Sequence, residues 1–199
     1  MRARLALAVS GQTCELREVK LSHKPAELLQ ASPKGTVPVW VGVDGTVIDE
    51  SLGIMLWALK RHDPLNWLPA DGDMAPALQW IRRCDAEFKP QLDRYKYPER
   101  FGLSQGCGAR DQAAQFLTEL NQHLASQPSL TGSAFGLVDA ALAPFVRQFA
   151  HTNPAWFAGQ PWPLVQAWLA AFEGSSLFDS IMGKHPVWGP GDAKTLLFL

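Results

Sequence analysis

The chain has 199 residues, 47% of them hydrophobic and 19% charged, with a formal net charge of −1. That is enough apolar material for one large or two small cored domains. The near-neutral charge, with no basic block, argues against a nucleic-acid partner, and no apolar run nears the roughly 20 residues that span a membrane. Cys14, Cys84 and Cys107 have no CxxC spacing, which argues against a disulfide framework or metal site and fits a reducing, cytoplasmic compartment.

The start, MRARLALAVSGQ, has an apolar run only from Leu5 to Val9, short for a secretory signal. It reads as a helix over residues 1–10, stopped by Gly11. Cys14 to Leu21 alternates as a strand does, and Pro25 to Gln30 reads as a helical turn. Val37–Trp40 is β-prone, Asp44-Gly45 signals a hairpin, and Thr46–Ile48 forms the returning strand. A helix runs from Glu50-Ser51 to Lys60. Pro64, Pro69 and Gly72 then mark a linker over 64–73.

Beyond the linker the periodicity is helical: Ala75 to about Tyr97, Arg110–Ala125, Leu137–Ala150 and Trp162–Phe172. The third of these carries Val138, Ala141, Leu142, Phe145 and Phe149 on one face, and Pro144 is expected to kink it. The fold class is therefore an α+β domain over 1–63 and an all-α domain over 74–199.

The segment SPKGTVPVW carries the most chemistry. Pro38 heads a β-prone run without a ladder amide, which leaves two readings: an ordinary edge-strand proline, or a cis peptide that turns the Val37 N–H and C=O outward. Backbone groups so presented accept a peptide ligand as an added strand. Glu50-Ser51 is either a plain helix start or a site whose free amides and Ser51 hydroxyl hold a carboxylate while Glu50 holds an ammonium. Tyr95 and Tyr97 either line an electrophile pocket or cover a helix end. Cys84 and Cys107 lack a cationic neighbour that would activate them.

SPKGTVPV, the Asp-Gly turn and the Glu-Ser pair, in this order, resemble the glutathione S-transferase family. TGSAFGLVDAALAPFVRQF resembles its helical-domain motif, and WLPADGD its linker. HKPAELLQASPKGTVPVW is most similar to the omega class and related bacterial members. The resemblance implies a thioredoxin-like first domain. It implies that Val37 pairs with the cysteinyl backbone of glutathione, that Glu50 and Ser51 hold its γ-glutamyl group, and that Lys24 reaches its glycyl carboxylate. Asp139 matches the family's structural Asp at the start of a buried helix, and Pro38 the structural proline.

Two departures accompany the resemblance. Family members open with a strand and a turn bearing the thiol-activating Cys, Ser or Tyr, just before the helix that starts here at Met1. The expectation is thus a truncated domain, its first strand missing and with no catalytic residue in this chain. The family also carries Ser or Thr three residues before Asp139, where Gly136 stands. The expected function is conjugation of glutathione to a small electrophile or glutathione-dependent thiol reduction, in a homodimer. The alternative is a non-catalytic glutathione-binding or protein-interaction module on the same scaffold.

Overall fold

The computed structural model describes residues 1–198. Two compact units emerge, one of Met1–Leu65 joined by residues from Ser176 onward, the other of Asn66–Ser175. The first is mixed and the second helical, as the change of periodicity at the linker implies.

The first unit begins with α1 (Arg2–Ser10), closed by Gly11 in the left-handed conformation, whose N–H returns to Ala8 and Leu7. Then come β1 (Cys14–Leu16), α2 (Ala26–Ala31), β2 (Trp40–Val41), β3 (Val47–Ile48) and α3 (Ser51–Arg61). Packing of α1 on α3 forms its core, with Leu5, Ala6, Ile54, Met55, Ala58 and Leu59 buried. The β2–β3 hairpin pairs Trp40 with Ile48 and Val41 with Val47, turning at the expected Asp44-Gly45. Asp44 Oδ1 accepts the Thr46 N–H at 3.0 Å, which is the main reason the Asp44 carboxyl lies below the usual range. Trp40 and Trp57 stack at 4.5 Å, and the Arg61 guanidinium caps Trp57 at 4.5 Å.

The helical unit holds α4 (Ala75–Arg83), α5 (Lys89–Lys96), α6 (Cys107–His123), α7 (Leu137–Ala150), α8 (Pro154–Ala158) and α9 (Pro163–Glu173). The long helix expected from Ala75 is α4 and α5 joined by a π turn over Cys84–Phe88. Pro90 has no N–H to return to the residue 86 carbonyl, and the wider turn stands just before it. Leu137, Val138, Ala140, Ala141, Leu142, Ala143 and Val146 are all fully buried, so the first half of α7 is enclosed nearly all round. It runs through Pro144 without a break. Phe145, expected on its buried face, is half-exposed under the Lys89 ammonium at 5.0 Å.

The sequence division assigned everything beyond residue 73 to an all-helical domain, but the chain returns to the first unit at Ser176. There it forms α10 (Ser176–Ile181), packed on α1, and β4 (Thr195–Leu197). β4 lies antiparallel to β1, with Cys14 opposite Leu197. β1 is shorter than the expected Cys14–Leu21 strand, although the Trp188 N–H bonds to the Glu18 carbonyl at 2.8 Å. Among the described residues β1–β4 and β2–β3 remain separate two-stranded sheets. Among the described residues no helix is long and apolar enough to cross a membrane.

Candidate functional site

The geometry around Val37 starts at Gly35. Its φ is +58°, and a Cβ there would lie 2.9 Å from Leu29 Cδ2 and 3.3 Å from Lys24 Nζ. A left-handed turn and a close approach together require glycine, and the result lays Lys24 against the Gly35 backbone. Two residues on, the Val37–Pro38 peptide is cis. Val37 is exposed, and its N–H and C=O have no hydrogen-bond partner among the described residues.

Helix α3 opens at Ser51, with Glu50 as an extended N-cap residue. The Glu50 carbonyl takes the Ile54 N–H at 3.0 Å. The N–H groups of Ser51, Leu52 and Gly53 lie in the first turn, which has no intrahelical acceptor, and no described residue accepts from them. Ser51 is half-buried and Glu50 exposed.

Sequence reasoning missed Lys34. Its Nζ donates to Glu50 Oε1 at 2.8 Å and lies 3.3 Å from Asp49 Oδ2, while Ser32 Oγ donates to the same Asp49 oxygen at 3.1 Å. Hydrogen bonding to Glu50, then to Asp49, pushes the Lys34 ammonium up; Lys34, then Ser32, holds the Asp49 carboxyl down. The signal was the opposition of a Lys-Gly pair to an Asp-Glu pair, but only the folded loop shows that they meet. Lys24 thus lies against Gly35, and Lys34 joins the 33–36 loop to Asp49 and Glu50 at the start of α3.

Asp139 belongs to a different environment. It is fully buried at the third position of α7. Oδ1 accepts from Leu130 N at 2.9 Å and Trp168 Nε1 at 2.8 Å; Oδ2 accepts from Gly136 N at 3.0 Å and Thr131 Oγ1 at 3.3 Å. Burial raises its carboxyl, and the four donors oppose that rise. A Cβ on Gly136 would lie 2.5 Å from Thr131 Oγ1, so the Thr131 hydroxyl stands where a capping side chain would be. This explains the glycine at that position.

Tyr95 is half-buried with its ring 5.2 Å from Phe149, and burial raises its phenol. Tyr97 ends α5 and lies between the Arg100 guanidinium at 4.2 Å and the Lys96 ammonium at 5.1 Å. Cys84 is buried, Cys107 exposed and Cys14 half-buried, its thiol raised by burial.

Residues 1–61 match the family model described as Glutathione S-transferase, N-terminal domain, and residues 90–171 that described as Glutathione S-transferase, C-terminal domain. The chain belongs to the glutathione S-transferase family. This glutathione S-transferase-like chain is 28% identical over 200 residues to a probable glutathione S-transferase, parA, of Nicotiana tabacum, covering 95% of this chain and 87% of parA. It is 27% identical over 198 residues to elongation factor 1-gamma of Carassius auratus, where it spans 92% of itself but only 43% of that protein. A sphingomonad glutathione S-transferase solved with glutathione superposes at a TM-score of 0.77 and 19% identity, over 91% of each chain, which is a likeness of fold.

Proposed function

We propose that this glutathione S-transferase-like chain binds glutathione along the surface from Lys24 to Ser51 and presents its thiol to a small electrophile or a mixed disulfide. The observation that carries this reading is the unpartnered Val37 peptide, together with the open first turn of α3. The Val37 N–H and C=O pair with the cysteinyl backbone of the tripeptide as an added strand would. The first-turn amides and the Ser51 hydroxyl take the γ-glutamyl carboxylate, and Glu50 its ammonium. Lys24 takes the glycyl carboxylate. The ammonium displaces Lys34 from Glu50, an exposed contact of the kind that exchanges readily. Assembly is as a homodimer through the first unit and the helix from Ala75, in the cytoplasm.

These residues hold the ends and the backbone of glutathione; none addresses its sulfur. They supply affinity, while conjugation requires a donor or cation that lowers a thiol pKa near 8.5, at roughly 1.4 kcal/mol per unit. The chain of residues 1–199 alone is therefore expected to bind glutathione while turning over a generic electrophile slowly. Titration calorimetry with glutathione on the wild type, Ser51→Ala and Glu50→Gln tests the site, and wild-type binding unaffected by either substitution overturns it. Assaying 1–199 beside a chain extended upstream by a strand and a Cys- or Ser-bearing turn tests the chemistry. Equal rates would show that the thiol is activated by a residue outside this assignment.

A further inference from the structure

In the binding mode proposed above, on which this inference rests, the γ-glutamyl end of glutathione brings an ammonium and a carboxylate to the start of α3. An ammonium of the chain's own already stands there. Lys34 Nζ lies 2.8 Å from Glu50 Oε1 and 3.3 Å from Asp49 Oδ2.

A local turn holds it in place. Ser32, Pro33, Lys34 and Gly35 close with the Gly35 N–H on the Ser32 carbonyl at 2.9 Å. Proline in the second position and a left-handed glycine in the fourth set the shape of that turn. Ser32 is buried, and its Oγ donates to Asp49 Oδ2 at 3.1 Å. The turn and the residues before α3 are therefore pinned together at Asp49, and Lys34 gives up little freedom in reaching Glu50. Hydrogen bonding, first to Glu50 and then to Asp49, raises the Lys34 ammonium, which is charged at neutral pH.

Charge decides what such an arrangement discriminates. Lys34, Asp49 and Glu50 place one ammonium between two carboxylates. A zwitterionic γ-glutamyl group adds an ammonium of its own, but gains Glu50 only by displacing Lys34. A ligand that carries the carboxylate alone leaves the Lys34–Glu50 pair standing. Lys34 then offsets the two acidic side chains that would otherwise repel that carboxylate. We propose that Lys34 stands in for the α-ammonium of the ligand, so that the site accepts ω-carboxyacyl-cysteinylglycine thiols without an α-amino group, glutaryl-cysteinylglycine as well as glutathione. Lys34 thereby sets how strictly the amine is required, although it belongs to neither the helix nor its cap.

The test is titration calorimetry at low salt with glutathione and with glutaryl-cysteinylglycine, on the wild type, Lys34→Gln, Lys34→Arg and Ser51→Ala. The wild type is expected to bind the two thiols within about threefold of each other, the scale of an exposed ion pair. Lys34→Gln is expected to move them in opposite directions, glutathione about threefold tighter and the glutaryl compound about threefold weaker, so that preference for the amine grows about tenfold. Lys34→Arg keeps the charge and is expected to keep the wild-type preference. Lys34 is exposed, so neither variant disturbs the core. Added salt is expected to shrink the difference between wild type and Lys34→Gln. A wild type that disfavours the glutaryl compound by about tenfold or more overturns the inference, as does a preference unchanged in Lys34→Gln or equally enlarged in Lys34→Arg. With glutathione still bound, and weakened by Ser51→Ala, those outcomes leave the glutathione site intact. Glutathione that does not bind the wild type, or binds Ser51→Ala as well, overturns the site and the role of Lys34 together.

Discussion

Two helix N-termini in this molecule begin with the same backbone physics and end differently. At α7 the Gly136 N–H goes to the Asp139 carboxylate and the Leu137 N–H to the Trp67 carbonyl, at 3.0 and 3.2 Å, inside a fully buried setting. At α3 the amides of Ser51, Leu52 and Gly53 have no partner among the described residues, and the capping residue Glu50 is exposed. A helix start satisfied by its own chain holds the fold together. One left open to solvent is available to a ligand, and occupying it costs the fold little.

The largest expected effect breaks the closed end. Asp139→Ala leaves the Leu130, Gly136 and Trp168 donors buried without an acceptor, which is expected to cost about 3–5 kcal/mol in urea unfolding. Asp139→Asn keeps an acceptor and should cost less. It also serves as the pH reference, because the folded state holds the Asp139 proton above the unfolded value of 3.8. From this carboxyl alone, stability is fully present below 3.8 and declines as pH rises through the folded value. Wild-type stability relative to Asp139→Asn should therefore fall as pH rises from 3.8, and a rising difference would contradict the burial argument.

The next effect sharpens the role of Gly136. Gly136→Ser drives a Cβ into Thr131 Oγ1 and is expected to cost about 1–3 kcal/mol. In a Thr131→Ala background the same change should cost only a few tenths, since serine is a good cap and the obstructing oxygen is gone. Equal costs in both backgrounds would mean that Thr131 does not stand in for the missing cap.

At the open end the effects fall on binding and spare the fold. Ser51→Ala is expected to weaken glutathione by about tenfold with no shift of the unfolding midpoint. The smallest effect is expected at Lys34. Lys34→Gln removes the competitor for Glu50 and should tighten glutathione by about threefold at low salt, the difference fading as salt is added. Weaker binding would mean that Lys34 contacts the ligand directly.

What was legible in the sequence follows the range of the forces involved. The Val-Pro step, the Asp-Gly hairpin, the Glu-Ser helix start and Asp139 ahead of an apolar helix are each set by neighbours a few residues away. Lys34 looked like any surface lysine because its partners are brought to it by the 33–36 loop and the hairpin. The π turn at Cys84–Phe88 was hidden by an otherwise regular apolar period, with Pro90 just after it as the one local irregularity. β4 was missed because Thr195–Leu197 is a strand only by virtue of β1, some 180 residues earlier in the chain.

That last pairing has a consequence for how the protein is made. The first unit is interrupted: α1 to α3 emerge from the ribosome early, but α10 and β4 emerge only after the whole of Asn66–Ser175. At about 5–20 residues per second, the intervening stretch takes roughly 5–20 s to synthesise. Throughout that interval the β1 edge stands without β4, while the uninterrupted helical unit is free to fold to completion. The first unit, begun first, can therefore be completed only after the helical unit has been synthesised, when Ser176 and the residues after it bring α10 and β4 to α1 and β1.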